Sequence, residues 1–324
     1  MSISGPYVIG IDLGGTKIAT VLTGGDLSVI QRLVITTRPE EGSRAVLDRI
    51  VDSAMQVASC LPRGIQDVDA VTIGSPGPVD PTGEVVLDAP NLGWKCVPAA
   101  RIVGEALGRT VFLENDANLA ALAENRLGAG RGTSHMIYIT VSTGIGSGLI
   151  LGGQLYRGFS GSAGELGHVT MVKDGPLCGC GNRGCLEAVA SGTAIGRRGQ
   201  EVACRPTGEG ILRAGGGDAS RVDASVVAAA ARAGDRAALA ILHDAFEYLG
   251  IAVANVLNLL NLQMVVVGGG VSRTGDILFD TVRATVSLRA FAYAARDVAI
   301  VPAALGEDVG ALGAACYALD KARK

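Results

Sequence analysis

The chain has 324 residues, 48% hydrophobic and 18% charged, enough for two domains with sizeable cores and incompatible with wholesale disorder. Its 28 Lys and Arg against 31 Asp and Glu leave a net charge of −3, without the basic cluster that marks a nucleic-acid partner. No uninterrupted apolar run reaches the roughly 20 residues of a membrane span, and MSISGPYVIG lacks the basic start and apolar core of a signal peptide, so a cytoplasmic protein is expected.

Residues 7–12 read as a strand, followed by the turn Leu13-Gly14-Gly15-Thr16-Lys17 and a second strand at 18–22; the apolar run 29–36 extends the sheet. Ala45, Val46, Ile50, Ala54 and Val57 fall at helical spacing within 43–59. A strand at 70–73 runs into the breaker-rich GSPGPVDPTG of 74–83. A strand at 110–113 ends at Glu114-Asn115-Asp116, and a helix follows over 117–127 with Asn115 or Asp116 as its N-cap.

A second block opens with a strand at 137–141, a Gly-rich stretch at 142–148 and extended chain at 149–151. Residues 9–25 and 137–153 share one plan, strand, small-residue turn, strand, Gly-Gly, with few identities: an echo of duplication. The polar, Gly-rich 205–221 is expected as a surface loop. Helical patterns cover 224–233 and 235–260, a buried strand at 263–267 ends at Gly268-Gly269-Gly270, and a helix, a strand at 298–301 and a helix from about 308 complete the chain. This alternation predicts an α/β protein with central sheets.

Three of the seven cysteines, Cys178, Cys180 and Cys185, lie within eight residues and are separated by glycines, with His168 ten residues upstream. Three thiolates and an imidazole make a complete tetrahedral zinc shell. A disulfide with a spare thiol is the competing reading, but the other cysteines are scattered singly, as in a reduced protein. An iron–sulfur centre would need a fourth thiolate nearby. Glu165 and Glu187 flank these ligands, and with His168, Asn91 and Asn115 they form a donor and acceptor set suited to a polyhydroxy ligand.

Two Gly/Thr turns, DLGGTK and STGIGSG, follow strands, and neither is a Walker loop or a good GxGxxG. Bare backbone N–H groups with a Thr hydroxyl and a Lys can cradle phosphates without a helix. Either turn alone would read as an ordinary glycine hairpin; two of them, with the glycines at 268–270, point to a nucleotide cleft. Asp12, at its strand end, suits a hydrated Mg²⁺, and Asp116, at a strand-to-helix junction, is the candidate general base.

Together DLGGTK, ENDAN, STGIGSG, ELGH and CGCGNRGCLE closely resemble the ROK family of sugar kinases and sugar-responsive repressors, over nearly the whole chain. The resemblance implies an actin-like (ribonuclease H-like) α/β fold of two domains, 1–115 joined by a C-terminal helix over 308–324, and 116–307 carrying the zinc loop, with sugar and ATP between them. It implies ATP phosphates at Gly14, Gly15, Thr16, Lys17, Thr143, Gly144 and Gly146, adenosine near Gly269 and Gly270, and Mg²⁺ near Asp12. It makes Asp116 the base acting on the sugar 6-hydroxyl, with the hexose held by Asn91, Asn115, Asp116, Glu165, His168 and Glu187. It also makes His168, Cys178, Cys180 and Cys185 the ligands of a structural Zn²⁺. Ser142 and Ser147 depart from the glycines that many members carry in the second turn. The stretch after Lys173 is most similar to glucokinase members, so glucose leads; N-acetylglucosamine, N-acetylmannosamine, fructose, mannose and a polyphosphate donor are the alternatives. Repressor members carry a DNA-binding domain before the first phosphate turn, which is not expected where that turn begins at Asp12. Family members are commonly homodimers or homotetramers.

Overall fold

The computed structural model describes residues 5–323. Residues 1–4, part of the signal-peptide reading and of the first expected domain, and residue 324 lie outside them. An antiparallel meander, β1 (Tyr7–Leu13), β2 (Lys17–Thr23) and β3 (Val29–Thr36), opens the chain. After α1 (Ser43–Ala58), β4 (Val68–Ser75) joins β1 in parallel. The small hairpin β5 (Val86–Ala89) and β6 (Trp94–Val97) and then α2 (Ala99–Leu107) lead to β7 (Val111–Asn115), parallel to β4. This sheet has the order β3-β2-β1-β4-β7.

Helix α3 (Asp116–Arg126) leads to a second meander, β8 (Met136–Val141), β9 (Ile145–Leu151) and β10 (Gln154–Tyr156). A helical block follows: α4 (Leu186–Ala190), α5 (Gly192–Ala203), α6 (Glu209–Ala214), α7 (Ala224–Arg232) and α8 (Arg236–Leu260). Then β11 (Met264–Gly268) pairs with β8 in parallel, α9 (Asp276–Arg289) and α10 (Ala292–Ala295) pack outside, and β12 (Ala299–Pro302) pairs with β11 before α11 (Val309–Ala322). The second sheet runs β10-β9-β8-β11-β12. Strand for strand, the two sheets share order and sense, so the weak sequence echo is a repeat of topology.

Periodicity placed most helices. Helix α1 turns Val46, Leu47, Ile50, Ala54 and Val57 into the first core, as its spacing predicts. Helix α8 is long and apolar enough to cross a membrane by length and composition, yet Leu242, Phe246, Leu249 and Val253 lie in the second core.

Two expectations are corrected. Of the Gly-rich 142–148, only Ser142, Thr143 and Gly144 form a turn; Gly146, Ser147 and Gly148 belong to β9, paired with Thr140, Ile139 and Tyr138. The reason is the helix above: a Cβ on Gly148 would lie 2.7 Å from the Ala117 carbonyl, so α3 tolerates only bare backbone there. The stretch 205–221 contains α6 and two 3₁₀ turns, Pro206–Gly208 and Ala219–Arg221, because Ile211 anchors it in the second core, with Val222 just beyond.

The helices α3 and α11 lie between the sheets almost backbone to backbone. A Cβ on Gly313 would stand 2.0 Å from the Leu119 carbonyl oxygen, and one on Gly10 would stand 2.1 Å from that of Ala311. Buried Glu124 of α3 accepts the N–H groups of Ala304 and Leu305 at 2.9 Å each and of Ala129 at 2.8 Å, which fixes the chain entering α11. Gly10→Ala is therefore expected to destabilise the fold by about 2 kcal/mol or more, as overpacking against backbone does. A urea midpoint unchanged from wild type would contradict this close approach.

Candidate active site

The site assembles around two hairpin turns and one helix start. In the first turn the Gly14 N–H donates to the Lys17 carbonyl at 2.9 Å, and Thr37 clamps both sides, its hydroxyl donating to the Gly14 carbonyl (2.7 Å) and its N–H to that of Thr16 (3.0 Å). Asn91, in the 3₁₀ turn Pro90–Leu92, lies directly against this turn: a Cβ on Gly15 would be 3.3 Å from its carbonyl oxygen. Lys17 Nζ reaches Glu307 at 2.9 Å.

Asp12 ends β1 under the turn. Burial, then the neighbouring charge of Asp116, push its carboxyl up to about 7, against the pull of Lys17. Such a half-buried carboxylate beside a second acid is a fitting donor for a divalent cation.

Asp116 opens α3. Asn115 is its N-cap: Oδ1 accepts from the N–H groups of Ala117 (2.9 Å) and Asn118 (3.2 Å), and Nδ2 donates to the Gly77 carbonyl (3.2 Å). This settles the two N-cap candidates and leaves the Asp116 carboxylate free for the cleft, apart from one bond at 2.8 Å from Ala117 N–H. Burial pushes the Asp116 carboxyl up to about 6; the Ala117 bond opposes the rise and the charge of Glu165 adds to it.

The second turn is docked on the start of α5, where the Gly192 N–H donates to the Ser142 carbonyl (2.7 Å) and the Thr193 hydroxyl to that of Thr143 (2.8 Å). Beside it opens a cavity of about 500 Å³, lined by Thr143, Thr193, Asp223, Arg232, Gly270 and Arg273 among others. Gly269, at φ +85°, packs so closely that a Cβ would stand 2.3 Å from the Val141 carbonyl oxygen. Thr193, Asp223, Arg232 and Arg273 were not found from sequence, because they come from elements that no local spacing links. Gly146 lies one strand position beyond the turn, its Cβ direction facing Ala117 at 3.2 Å.

The knuckle is preformed. Cys180 and Cys185 Sγ are 3.8 Å apart, Cys178 Sγ is 3.7 Å from His168 Nδ1, and the four donors all lie within 4.8 Å of one another. A tetrahedron with Zn–S bonds of about 2.3 Å has edges of about 3.8 Å, so the cage fits a zinc ion. The cysteines are free thiols, which removes the disulfide reading. Burial pushes the Cys178 thiol up to about 12, so a cation is what would hold it as thiolate at neutral pH. With Nδ1 turned to the cage, His168 Nε2 faces Glu165 Oε2 at 4.0 Å. Glu187 links the knuckle to the second turn: Oε2 accepts the Ile145 N–H at 2.9 Å while Oε1 lies 3.7 Å from Cys178 Sγ. Glu165 and Asn115 also line one small cavity. The structure thus gathers Asn115, Asp116, Glu165, His168 and Glu187 around the second turn, and Asn91 with Asp12 around the first.

Two matched α/β units, each presenting a glycine hairpin, with helix-start carboxylates between them, define the actin-like, ribonuclease H-like class. The chain belongs to the ROK family, whose model matches residues 8–321. It is 38% identical to a glucokinase of Thermotoga maritima over 95% of this chain and 96% of that one. Among solved structures it is similar to a ROK family glucokinase from Streptomyces griseus in complex with glucose and AMPPNP, at 34% identity and TM-score 0.82, covering 97% of this chain and 99% of that one. A xylose repressor of Bacillus subtilis is 29% identical over 97% of this chain and 77% of the repressor.

Proposed function

We propose that the protein transfers the γ-phosphoryl group of ATP to the 6-hydroxyl of a hexose, glucose foremost. The observation that carries this reading is the half-buried Asp116 carboxylate, held at a helix start and within reach of the charge of Glu165, which in turn faces the caged His168. Asp116 takes the hydroxyl proton as the sugar oxygen bonds to the γ-phosphorus and the bond to the β-phosphate oxygen breaks, releasing ADP.

The N–H groups of both turns and Lys17 hold the phosphates, and the cavity beside Gly270 takes the adenosine. Asp12 would hold the magnesium that travels with ATP, which offsets phosphate charge when bound. The caged zinc would leave the chemistry to others and fix the His168 ring, so that Nε2, with Glu165, Glu187, Asn91 and Asn115, grips the sugar hydroxyls. The glucokinase relatives support glucose within this class. The units 1–115 with 308–324 and 116–307 would close on the sugar and exclude water from the phosphate.

A coupled ADP-release assay over hexoses and N-acetylhexosamines, with polyphosphate tried in place of ATP, tests the reading. The expected result is ATP-dependent turnover with kcat/KM highest for glucose. Release of ADP only with an N-acetylhexosamine would reassign the substrate. Sugar binding without turnover on any sugar would overturn the enzymatic reading in favour of sugar sensing.

A further inference from the structure

The residue after β10, Arg157, lies outside the phosphate turns and the sugar-facing set, yet it reaches across to the first sheet. Its Nε stands 2.9 Å from Oε2 of Glu114, on β7. Glu114 is only 1% exposed. Its second oxygen, Oε1, accepts the Asn115 N–H at 2.9 Å and the Asn118 Nδ2 at 3.0 Å. One buried carboxylate therefore touches both the backbone that leads into Asp116 and the guanidinium of Arg157.

Arg157 in turn begins the segment that leads to Glu165 and His168. Its carbonyl accepts the Ala163 N–H at 3.1 Å and closes the loop at its base. The loop holds Gly158, Gly161 and Gly164 at positive φ, and Phe159 at its tip is fully exposed, so little within it resists movement. Its far end is fastened to β9, where the Ser147 hydroxyl donates to the Gly164 carbonyl. The near end is fastened through Arg157 to the other sheet.

The contact is a close charge pair, and the Oδ1 atom of Asn118 beside it is buried with no protein partner among the described residues. Asn118, Glu114 and Glu165 border one cavity of about 10 Å³, enough for about one water. A buried charge pair is an expensive way to stabilise a fold, since an apolar pair often serves as well or better.

We propose that Arg157 is a positioning residue: through Glu114 it sets the loop that carries Glu165 and His168 at a fixed distance from Asp116, and so couples grip on the sugar to placement of the base. This rests on the reading of the cleft as a hexose site. The test compares Arg157→Met with the charge-free double variant Glu114→Gln/Arg157→Met by steady-state kinetics and by hydrogen–deuterium exchange over 158–168. In both variants the sugar KM is expected to rise about tenfold or more, with the ATP KM little changed. Exchange of the loop amides should quicken about tenfold. The double variant should recover thermal stability relative to Arg157→Met without recovering sugar affinity. A double variant with wild-type sugar KM and wild-type loop exchange would overturn the proposal, because the single variant's defect would then be an uncompensated buried charge alone. Should wild type phosphorylate no hexose, the functional reading fails by itself, and unchanged loop exchange in both variants would still overturn the positioning role.

Discussion

Asp116→Asn is expected to lower kcat by about 10²–10⁴-fold, the usual worth of a placed general base, while the sugar still binds. Asn keeps the shape and the bond from the Ala117 N–H but cannot take a proton. Helix-start N–H groups favour a negative carboxylate, and that bond alone would hold Asp116 low; burial wins, and the charge of Glu165 helps it, so the carboxyl is pushed up to about 6. Activity should therefore fall as pH drops from about 7 through about 6, since Asp12 must ionise to hold the cation and only ionised Asp116 accepts the proton. Glu165→Gln should move that acid limb to lower pH.

The same raised value has a cost in stability, with a definite sign. A carboxylate harder to ionise when folded than when unfolded opposes folding once pH exceeds the unfolded value, and the penalty is complete above the folded one. The rise from 3.8 to about 6 corresponds to roughly 3 kcal/mol at 1.36 kcal/mol per unit. Asp116→Asn should accordingly be more stable than wild type at pH 7 and no more stable at about pH 3, below the unfolded value. Near-normal turnover would remove Asp116 as the base; equal stability at both pH values would remove the burial argument.

Cys180→Ser is the second large effect. It opens one corner of the cage and should release the zinc, with sugar affinity falling about 10–100-fold, as when metal-site supports are lost. Because Glu187 bonds the Ile145 N–H beside the second turn while touching Cys178, the ATP KM should rise as well. Metal analysis, calorimetric titration of sugar and steady-state kinetics in ATP read the three. A wild type without zinc would remove the scaffold role, and an unchanged ATP KM would remove the link through Glu187.

Local chemistry was legible from the chain. The cysteine and histidine spacing, the first glycine hairpin and the junction at Asp116 each declare themselves within a few residues, and the four cysteine and histidine donors do lie within 4.8 Å of one another. The reasons for Gly146 and Gly148 were not legible, because what forbids a side chain there is a helix from another part of the sequence. Glu114 and Arg157 escaped for the same cause: each is unremarkable until two sheets bring them to 2.9 Å. The stretch 205–221 does lie at the surface, but its glycines and charges hide the few apolar residues, such as Ile211, that tie its short helix down.

The last helix carries a consequence for how the molecule is made. Ala311, Ala315, Ala318 and Leu319 of α11 pack on Val8, Val21 and Ala70 of the first sheet. The sheet translated first therefore lacks one covering layer until α11 leaves the ribosome. The second sheet has all its strands once β12 is synthesised, yet Ala314, Cys316 and Tyr317 of α11 share a core with its Met136, Tyr138, Ile150 and Val266. Domains ordinarily fold in the order they are synthesised; here the first sheet waits for α11, which leaves β1 and β4 in need of protection from wrong partners during synthesis.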